Sequence, residues 1–167
     1  MRSETEHESR SGVDADVGVV GVGAIGSMVL CHLGRAGVDC VGLERFAPGH
    51  DVGAVGGDTR LFRMAYAEGP RFVSWLRRSL ELWHELETET ATDVLTRCGG
   101  LTIGLPDHPY LSSARETGVE VEVLPHEALR ERYPQHALLP GEIALYDPSA
   151  GALRCDVAVQ AAARRAA

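Results

Sequence analysis

Three glycines, Gly21, Gly23 and Gly26, form the pattern GxGxxG. This pattern binds the diphosphate of a dinucleotide when it connects a β-strand to a helix. The first glycine permits a tight turn, the second lets the diphosphate approach the backbone, and the third lets helix and strand pack closely. The helix N-terminus adds free N–H donors and a partial positive charge. The chemistry expected of this segment is therefore dinucleotide binding.

The sequence on both sides of the three glycines favours this interpretation. An apolar strand is predicted at residues 17–20, and helical spacing of apolar residues predicts a helix that opens at Ala24 and Ile25. The following strand, "DCVGLE", ends at Glu44, whose carboxylate is placed to accept both hydroxyls of an adenosine ribose. Arg45 beside it could instead tolerate a 2′-phosphate. A glycine-rich turn that binds no ligand is the structural alternative.

A second segment with chemical potential is "GGDTRLFRMAYAEG", which carries Arg60 and Arg63 inside an apolar run. A guanidinium group can form paired hydrogen bonds with a carboxylate or a phosphate, so both arginines are candidates for binding an anionic group. The structural alternative pairs them with Asp58 or Glu68, or has them cap a helix.

The remaining patterns predict the elements that position these residues. A long amphipathic helix is expected from residue 70 to about 89, with either Trp75 or Leu76, together with Trp83 and Leu86, on its buried stripe. Strands are expected in "GGLTIGLP", "VEVEVLP" and "GEIALYD", a short helix in "PHEALRERYP", and an alanine-rich helix in "RCDVAVQAAARRAA". The sequence therefore predicts an α/β protein with a Rossmann-like βαβ unit and the start of a mixed sheet. Two parallel strands do not complete a sheet, and the last helix has no capping residue, so we expect an incomplete fold.

Composition narrows the classes of partner and compartment. The 167 residues have a net charge of -8, and all 16 basic residues are arginine, so neither nucleic acid nor an anionic membrane is an expected partner. The four cysteines form no closely spaced pair and the histidines have no metal-ligand spacing, which favours reduced thiols, a cytoplasmic location and no metal. Residues 1–15 are polar and are expected to be a disordered leader. The sequence contains no apolar run long enough to span a membrane.

From residue 16 onward the sequence resembles the monomeric sarcosine oxidase and N-methyltryptophan oxidase group of FAD-dependent amine oxidases, in the D-amino acid oxidase superfamily. The resemblance is carried by "VVGVGAIGS", "LERFAPGH", "GGDTRLFRMAYAEG" and "LWHELE", and more weakly by "GGLTIG", "RYP" and "DPSAGAL". It departs ahead of "GDTR", where relatives usually have a serine and one or two histidines and this chain has Ala54, Val55 and Gly56.

The resemblance implies an FAD-binding domain that begins at residues 16–90, a substrate domain that begins at 91–150, and a return to the FAD domain at 151–167. It implies an N-terminal portion of a longer oxidase that uses an amine or amino acid and oxygen, and that is a monomer at full length.

The resemblance also implies roles for individual residues. Arg60 would be the catalytic cation near the flavin ring, and Arg63 would bind the substrate carboxylate. The implied FAD contacts are Gly21, Gly23, Ala24, Ile25, Gly26, Glu44, Arg45, Gly57, Thr59 and Arg60. Two other interpretations stay open: a portion of an NAD-dependent dehydrogenase, which leaves "GDTR" unexplained, and a truncated chain that binds a nucleotide without turnover.

Overall fold

The computed structural model describes residues 14–166, so most of the predicted leader lies outside the described residues. The helices are α1 (Ala24–Arg35), α2 (Val73–Thr90), α3 (Pro109–Glu116), α4 (His126–Arg132) and α5 (Cys155–Ala166). The strands are β1 (Val17–Val20), β2 (Cys40–Leu43), β3 (Thr59–Phe62), β4 (Leu95–Thr96), β5 (Gly100–Gly104), β6 (Glu122–Leu124), β7 (Ile143–Asp147) and β8 (Gly151–Arg154).

The βαβ unit forms as the sequence predicts. β1 and β2 are parallel and in register from Val17 opposite Cys40 to Val20 opposite Leu43. One face of this pair packs under α1, and the contact is close because a Cβ atom on Gly42 would lie 2.6 Å from a methyl group of Leu30. The other face is open, with 85% of Val20 exposed. Parallel strands usually have both faces covered, so this face is apolar surface without a described partner.

The alanine-rich helix α5 joins the βαβ unit to the rest of the core. It packs against both α1 and α2. Ala158, Ala161 and Ala162 are buried in the main apolar cluster, together with Leu86 of α2 and Val94. Small side chains let helix axes approach closely, which explains why an alanine-rich sequence occupies this position.

Two antiparallel sheets complete the described fold. Their strand orders are β3-β8-β4 and β5-β7-β6. In the first of them Arg60 lies opposite Leu153, and Phe62 lies opposite Gly151. A Cβ atom on Gly151 would lie 2.3 Å from the carbonyl oxygen of Thr96, so the junction of these strands requires glycine. The arginine-bearing segment is thus held by a strand about 90 residues further along the chain.

Several sequence predictions need correction. The helix predicted from residue 70 begins as a 3-10 turn, Pro70–Phe72, and continues as α2. Of the two alternatives for the buried stripe, Leu76 packs against the core and Trp75 is 72% exposed, and Trp83 packs against the core as expected. The patterns did not predict β3, β4, α3 or β8, and "VEVEVLP" is a strand only at Glu122–Leu124.

No helix within residues 14–166 combines the length and the apolar character that a membrane span requires. All four cysteines are free thiols.

Candidate functional site

A cleft of about 550 Å³ opens where the glycine loop meets the N-terminus of α1. The loop from residue 44 to 58 and the first residues of α5 form its other walls. The cleft brings together seven of the predicted cofactor contacts: Gly21, Gly23, Ala24, Ile25, Gly26, Glu44 and Gly57. They come from the turn after β1, from α1, from the end of β2 and from the segment before β3, so the fold assembles residues that are up to 36 positions apart in the sequence.

The three glycines differ in what their backbone requires. Gly21 has φ 90°, a conformation that residues with a side chain rarely adopt. Gly23 is the N-cap of α1 and has no atom within 4 Å of a hypothetical Cβ, so its surroundings are open. A Cβ on Gly26 would lie 1.8 Å from the carbonyl oxygen of Gly21, so helix and turn approach too closely for any side chain. This is the backbone geometry that a diphosphate-binding turn needs, although contact with a dinucleotide stays a prediction.

Glu44 lines the cleft and is held by backbone donors. Its Oε2 accepts the N–H of Val22 at 2.8 Å, and its Oε1 accepts the N–H groups of Arg45 and Phe46 at 2.6 and 3.2 Å. These hydrogen bonds lower the pKa of Glu44, and the one from Val22 contributes most. Oε2 keeps one unused lone pair, so the ionised carboxylate can still accept a hydroxyl group from a ligand.

Sequence reasoning missed His50, which lines the same cleft. Its Nε2 lies 3.6 Å from Oε1 of Glu44, and its ring packs edge-on against Phe46. Its Nδ1 is buried and has no hydrogen-bond partner among the described residues. The available signal in the sequence was the glycine-rich composition around His50. The structure gives its reason, since Gly49 and Gly56 each approach another part of the backbone too closely for a side chain.

Arg60 borders the cleft rather than lining it. Its Nη1 donates to the carbonyl oxygen of Thr59 and its Nη2 to that of Gly56, both at 2.8 Å. Its positive charge reaches the cleft wall: burial raises the pKa of the Cys155 thiol, and Arg60 partly opposes that shift. Thr59 and Arg45 are also exposed and outside the lining, and the Arg45 guanidinium lies over the ring of Phe46. The structure therefore places these three predicted contacts at or beyond the margin of the cleft.

Arg63 lies in a different environment from Arg60. Residues three apart along an extended segment point to opposite sides, so the two guanidinium groups diverge. Arg63 is half-buried, its Nη1 donates to the hydroxyl of Tyr110, and its guanidinium lies 5.5 and 5.4 Å from the ring centroids of Tyr66 and Tyr110. The fold thus brings Arg63 against α3, not against the glycine loop.

The backbone just after Arg63 is fixed by a buried carboxylate. Asp147 at the end of β7 is 6% exposed, and its Oδ2 accepts the N–H groups of Met64 and Ala65, both at 2.9 Å. Its Oδ1 accepts the N–H of Ser149 at 2.8 Å. Charged acceptors make stronger hydrogen bonds than neutral ones, so Asp147 anchors the arginine-bearing segment to the sheet β5-β7-β6.

The structural alternatives for the two arginines are not observed. Within residues 14–166 neither Arg60 nor Arg63 forms an ion pair with Asp58 or Glu68. Neither caps a helix: Arg60 lies in β3, and Arg63 follows the end of β3 and donates to the side chain of Tyr110.

The residues of the cleft fit a dinucleotide such as FAD. A glycine-rich turn with an open N-cap suits a diphosphate, and an ionised carboxylate at the end of β2 suits a ribose. Across residues 14–166 there is no cluster of three or more potential metal ligands.

Comparison with known proteins identifies the family. Residues 16–167 match the family model described as FAD dependent oxidoreductase. The chain belongs to this family. The predicted family, the α/β fold class and the predicted cofactor class are thereby confirmed, whereas the domain boundaries and the individual site residues stay predictions.

Two relatives with known activities are similar to this FAD-dependent oxidoreductase over most of its length. A monomeric sarcosine oxidase from Streptomyces avermitilis is 38% identical over 144 residues, which are 83% of this chain and 37% of that protein. An N-methyl-L-tryptophan oxidase from Yersinia pestis is 30% identical over 152 residues, which are 89% of this chain and 41% of that protein. The chain therefore spans about two fifths of the length of the curated relatives that it matches.

Solved structures show the same fold. A variant of NikD, described as an unusual amino acid oxidase, has a TM-score of 0.78 at 21% identity over 91% of this chain and 40% of that chain. Glycine oxidase from Bacillus cereus has a TM-score of 0.66 at 23% identity over 91% of this chain and 43% of that chain. At these identities the likeness establishes the architecture alone.

Proposed function

We propose that this chain supplies the FAD-binding cradle and a carboxylate-binding arginine of an oxidase that acts on the C–N bond of an amino acid or related amine. The observation that carries the proposal is the cleft in which the glycine turn, the open N-terminus of α1 and Glu44 meet. The relatives support the substrate class, since sarcosine and N-methyl-L-tryptophan are both N-methylated amino acids.

The proposed contacts follow from the position of each group in the cleft. The backbone at Gly23, Ala24 and Ile25 would hold the diphosphate at the N-terminus of α1. Glu44 would accept a ribose hydroxyl through the free lone pair of Oε2. Arg60, fixed by the carbonyl oxygens of Gly56 and Thr59, would place a positive charge beside the redox-active ring. FAD, when bound, would accept the hydride lost from the carbon of the C–N bond, and oxygen is the proposed final electron acceptor.

Arg63 is the proposed contact for the substrate carboxylate. It is half-buried and cationic, and within the described residues it has no carboxylate partner, so an anionic ligand would complete its coordination. Because the two arginines are separated, Arg60 would lie beside the cofactor and Arg63 would contact the substrate. We also propose that residues 16–90 and 151–167 belong to the FAD domain and residues 91–150 to the substrate domain.

A titration of the 167-residue chain with FAD tests the proposal. We expect quenching of flavin fluorescence by FAD binding, with weaker binding of FMN, which lacks the adenosine and one of the two phosphates that the cleft is proposed to hold. ADP should compete with FAD for the same reason. Binding of NADH without any binding of FAD would favour the dehydrogenase interpretation. Binding of neither nucleotide would refute the proposed FAD site.

A further inference from the structure

Arg63 has an unusual set of neighbours for a half-buried cation. Its described contacts are one neutral acceptor, the hydroxyl of Tyr110, and the two aromatic rings of Tyr66 and Tyr110. Aromatic faces attract a guanidinium group without neutralising it. The group therefore retains its full charge and most of its hydrogen-bonding capacity.

The nitrogen of Arg63 that binds Tyr110 determines which N–H donors remain for a ligand. A guanidinium group has five N–H donors in a fixed plane, and a carboxylate binds it through two parallel N–H groups. Nη1 is already directed to Tyr110. The edge formed by Nε and Nη2 makes no hydrogen bond to any residue from 14 to 166, and this edge carries two parallel donors.

We propose that Tyr110 is a positioning residue that holds Arg63 so that its Nε–Nη2 edge binds the substrate carboxylate side-on. The inference rests on the proposed role of Arg63. The hydroxyl of Tyr110 fixes rotation about the last bonds of the arginine side chain, and the rings of Tyr66 and Tyr110 both lie within 5.5 Å of the guanidinium carbon. Asp147 fixes the backbone of the next two residues, so both ends of the arginine are held. Preorganisation of this kind raises affinity because less freedom is lost on binding.

The two tyrosines provide a matched pair of variants. Both rings lie at nearly the same distance from the Arg63 guanidinium, but only the hydroxyl of Tyr110 accepts a hydrogen bond from it. Tyr110→Phe removes that acceptor and keeps the ring. Tyr66→Phe removes a hydroxyl that makes no described contact with Arg63.

The experiment is a two-dimensional 15N NMR titration of the 167-residue chain with N-methylglycine and, separately, with its carboxamide. The Nε–Hε resonance of Arg63 is assigned by its absence from Arg63→Met. We expect N-methylglycine to shift this resonance downfield, because Nε is one of the two proposed donors. Tyr110→Phe should weaken the binding of N-methylglycine about three- to tenfold and leave the carboxamide unaffected, whereas Tyr66→Phe should match the wild type. Thermal unfolding of each variant establishes that it is folded.

The outcomes separate this inference from the proposed function. If Arg63→Met abolishes binding of the acid but Tyr110→Phe matches the wild type, Arg63 binds the carboxylate and Tyr110 does not position it. Equal losses in Tyr66→Phe and Tyr110→Phe, or equal weakening of acid and carboxamide, would assign Tyr110 to general packing and overturn the inference. No shift in the wild-type chain, or an unchanged affinity in Arg63→Met, would refute the carboxylate role of Arg63, and the inference would fail with it.

Discussion

Substitution of Gly26 by alanine tests the close contact between α1 and the glycine turn. The added Cβ would lie 1.8 Å from the carbonyl oxygen of Gly21, whereas ordinary contact begins near 3.4 Å. The obstructing atom belongs to the backbone, so no side chain can rotate away, and α1 must retreat from the turn by about 1.6 Å. Overpacking of this severity costs about 2–3 kcal/mol of unfolding free energy. For a chain of this size we expect the midpoint of thermal unfolding to fall by about 5–10 °C.

The assay combines thermal unfolding with the FAD titration. Gly18→Ala is the control for stability. Gly18 lies on the open face of β1, and no atom lies within 4 Å of a hypothetical Cβ there. Gly23→Ala is the control for binding: it meets no protein atom, so it should cost at most about 1 kcal/mol through the weaker N-cap, yet its methyl group would fill the space proposed for the diphosphate. We therefore expect Gly26→Ala to lower both stability and affinity, Gly23→Ala to lower mainly affinity, and Gly18→Ala to change neither.

Two results would refute this reasoning. A Gly26→Ala chain with the thermal midpoint of the wild type would show that α1 does not approach Gly21 as closely as described. A Gly23→Ala chain that binds FAD as tightly as the wild type would show that the diphosphate does not lie against this turn.

Two further predictions concern carboxylates that accept backbone hydrogen bonds. Asp147→Asn removes the charged acceptor from two buried N–H groups and should lower the unfolding free energy by about 1–3 kcal/mol in urea denaturation; an unchanged midpoint would contradict the anchoring role. The pKa of Glu44 is lowered from its usual 4.5, so its contribution to stability is fully present above pH 4.5 and is lost as the pH falls through the lower value of the folded state. As the pH falls below 4.5 the unfolding free energy of the wild type should therefore fall more steeply than that of Glu44→Gln, and parallel curves would show that the three backbone bonds do not act on the ionised group.

The elements predicted correctly have local signals. The βαβ unit follows from an apolar strand, a glycine turn and a helical apolar period within about thirty residues, all of which can be read without tertiary contacts. The long helix α2 was predicted for the same reason. Trp75 and Leu76 are adjacent, and the helical period alone could not decide which of them faces the core; the structure places Leu76 there.

The elements that were missed depend on distant partners. β3 has no alternating pattern, and it is a strand because Thr59–Phe62 hydrogen-bonds to β8. The spacing of Arg60 and Arg63 indicated two cations close together, whereas an extended backbone directs them apart. Neither Tyr110 nor Asp147 could be connected with Arg63 from the sequence, since they lie 47 and 84 positions beyond it.

The strand order β3-β8-β4 has a consequence for synthesis on the ribosome. The segment that bears Arg60 and Arg63 emerges early but can pair only after residue 154 has been translated, because its neighbour in the sheet is β8. The glycine turn and Glu44, by contrast, lie within one short stretch and can assemble while most of the chain is still being made. The glycine turn and Glu44 can thus form first, whereas the arginine-bearing strand and the α5 wall of the cleft need contacts of long sequence separation, which form more slowly.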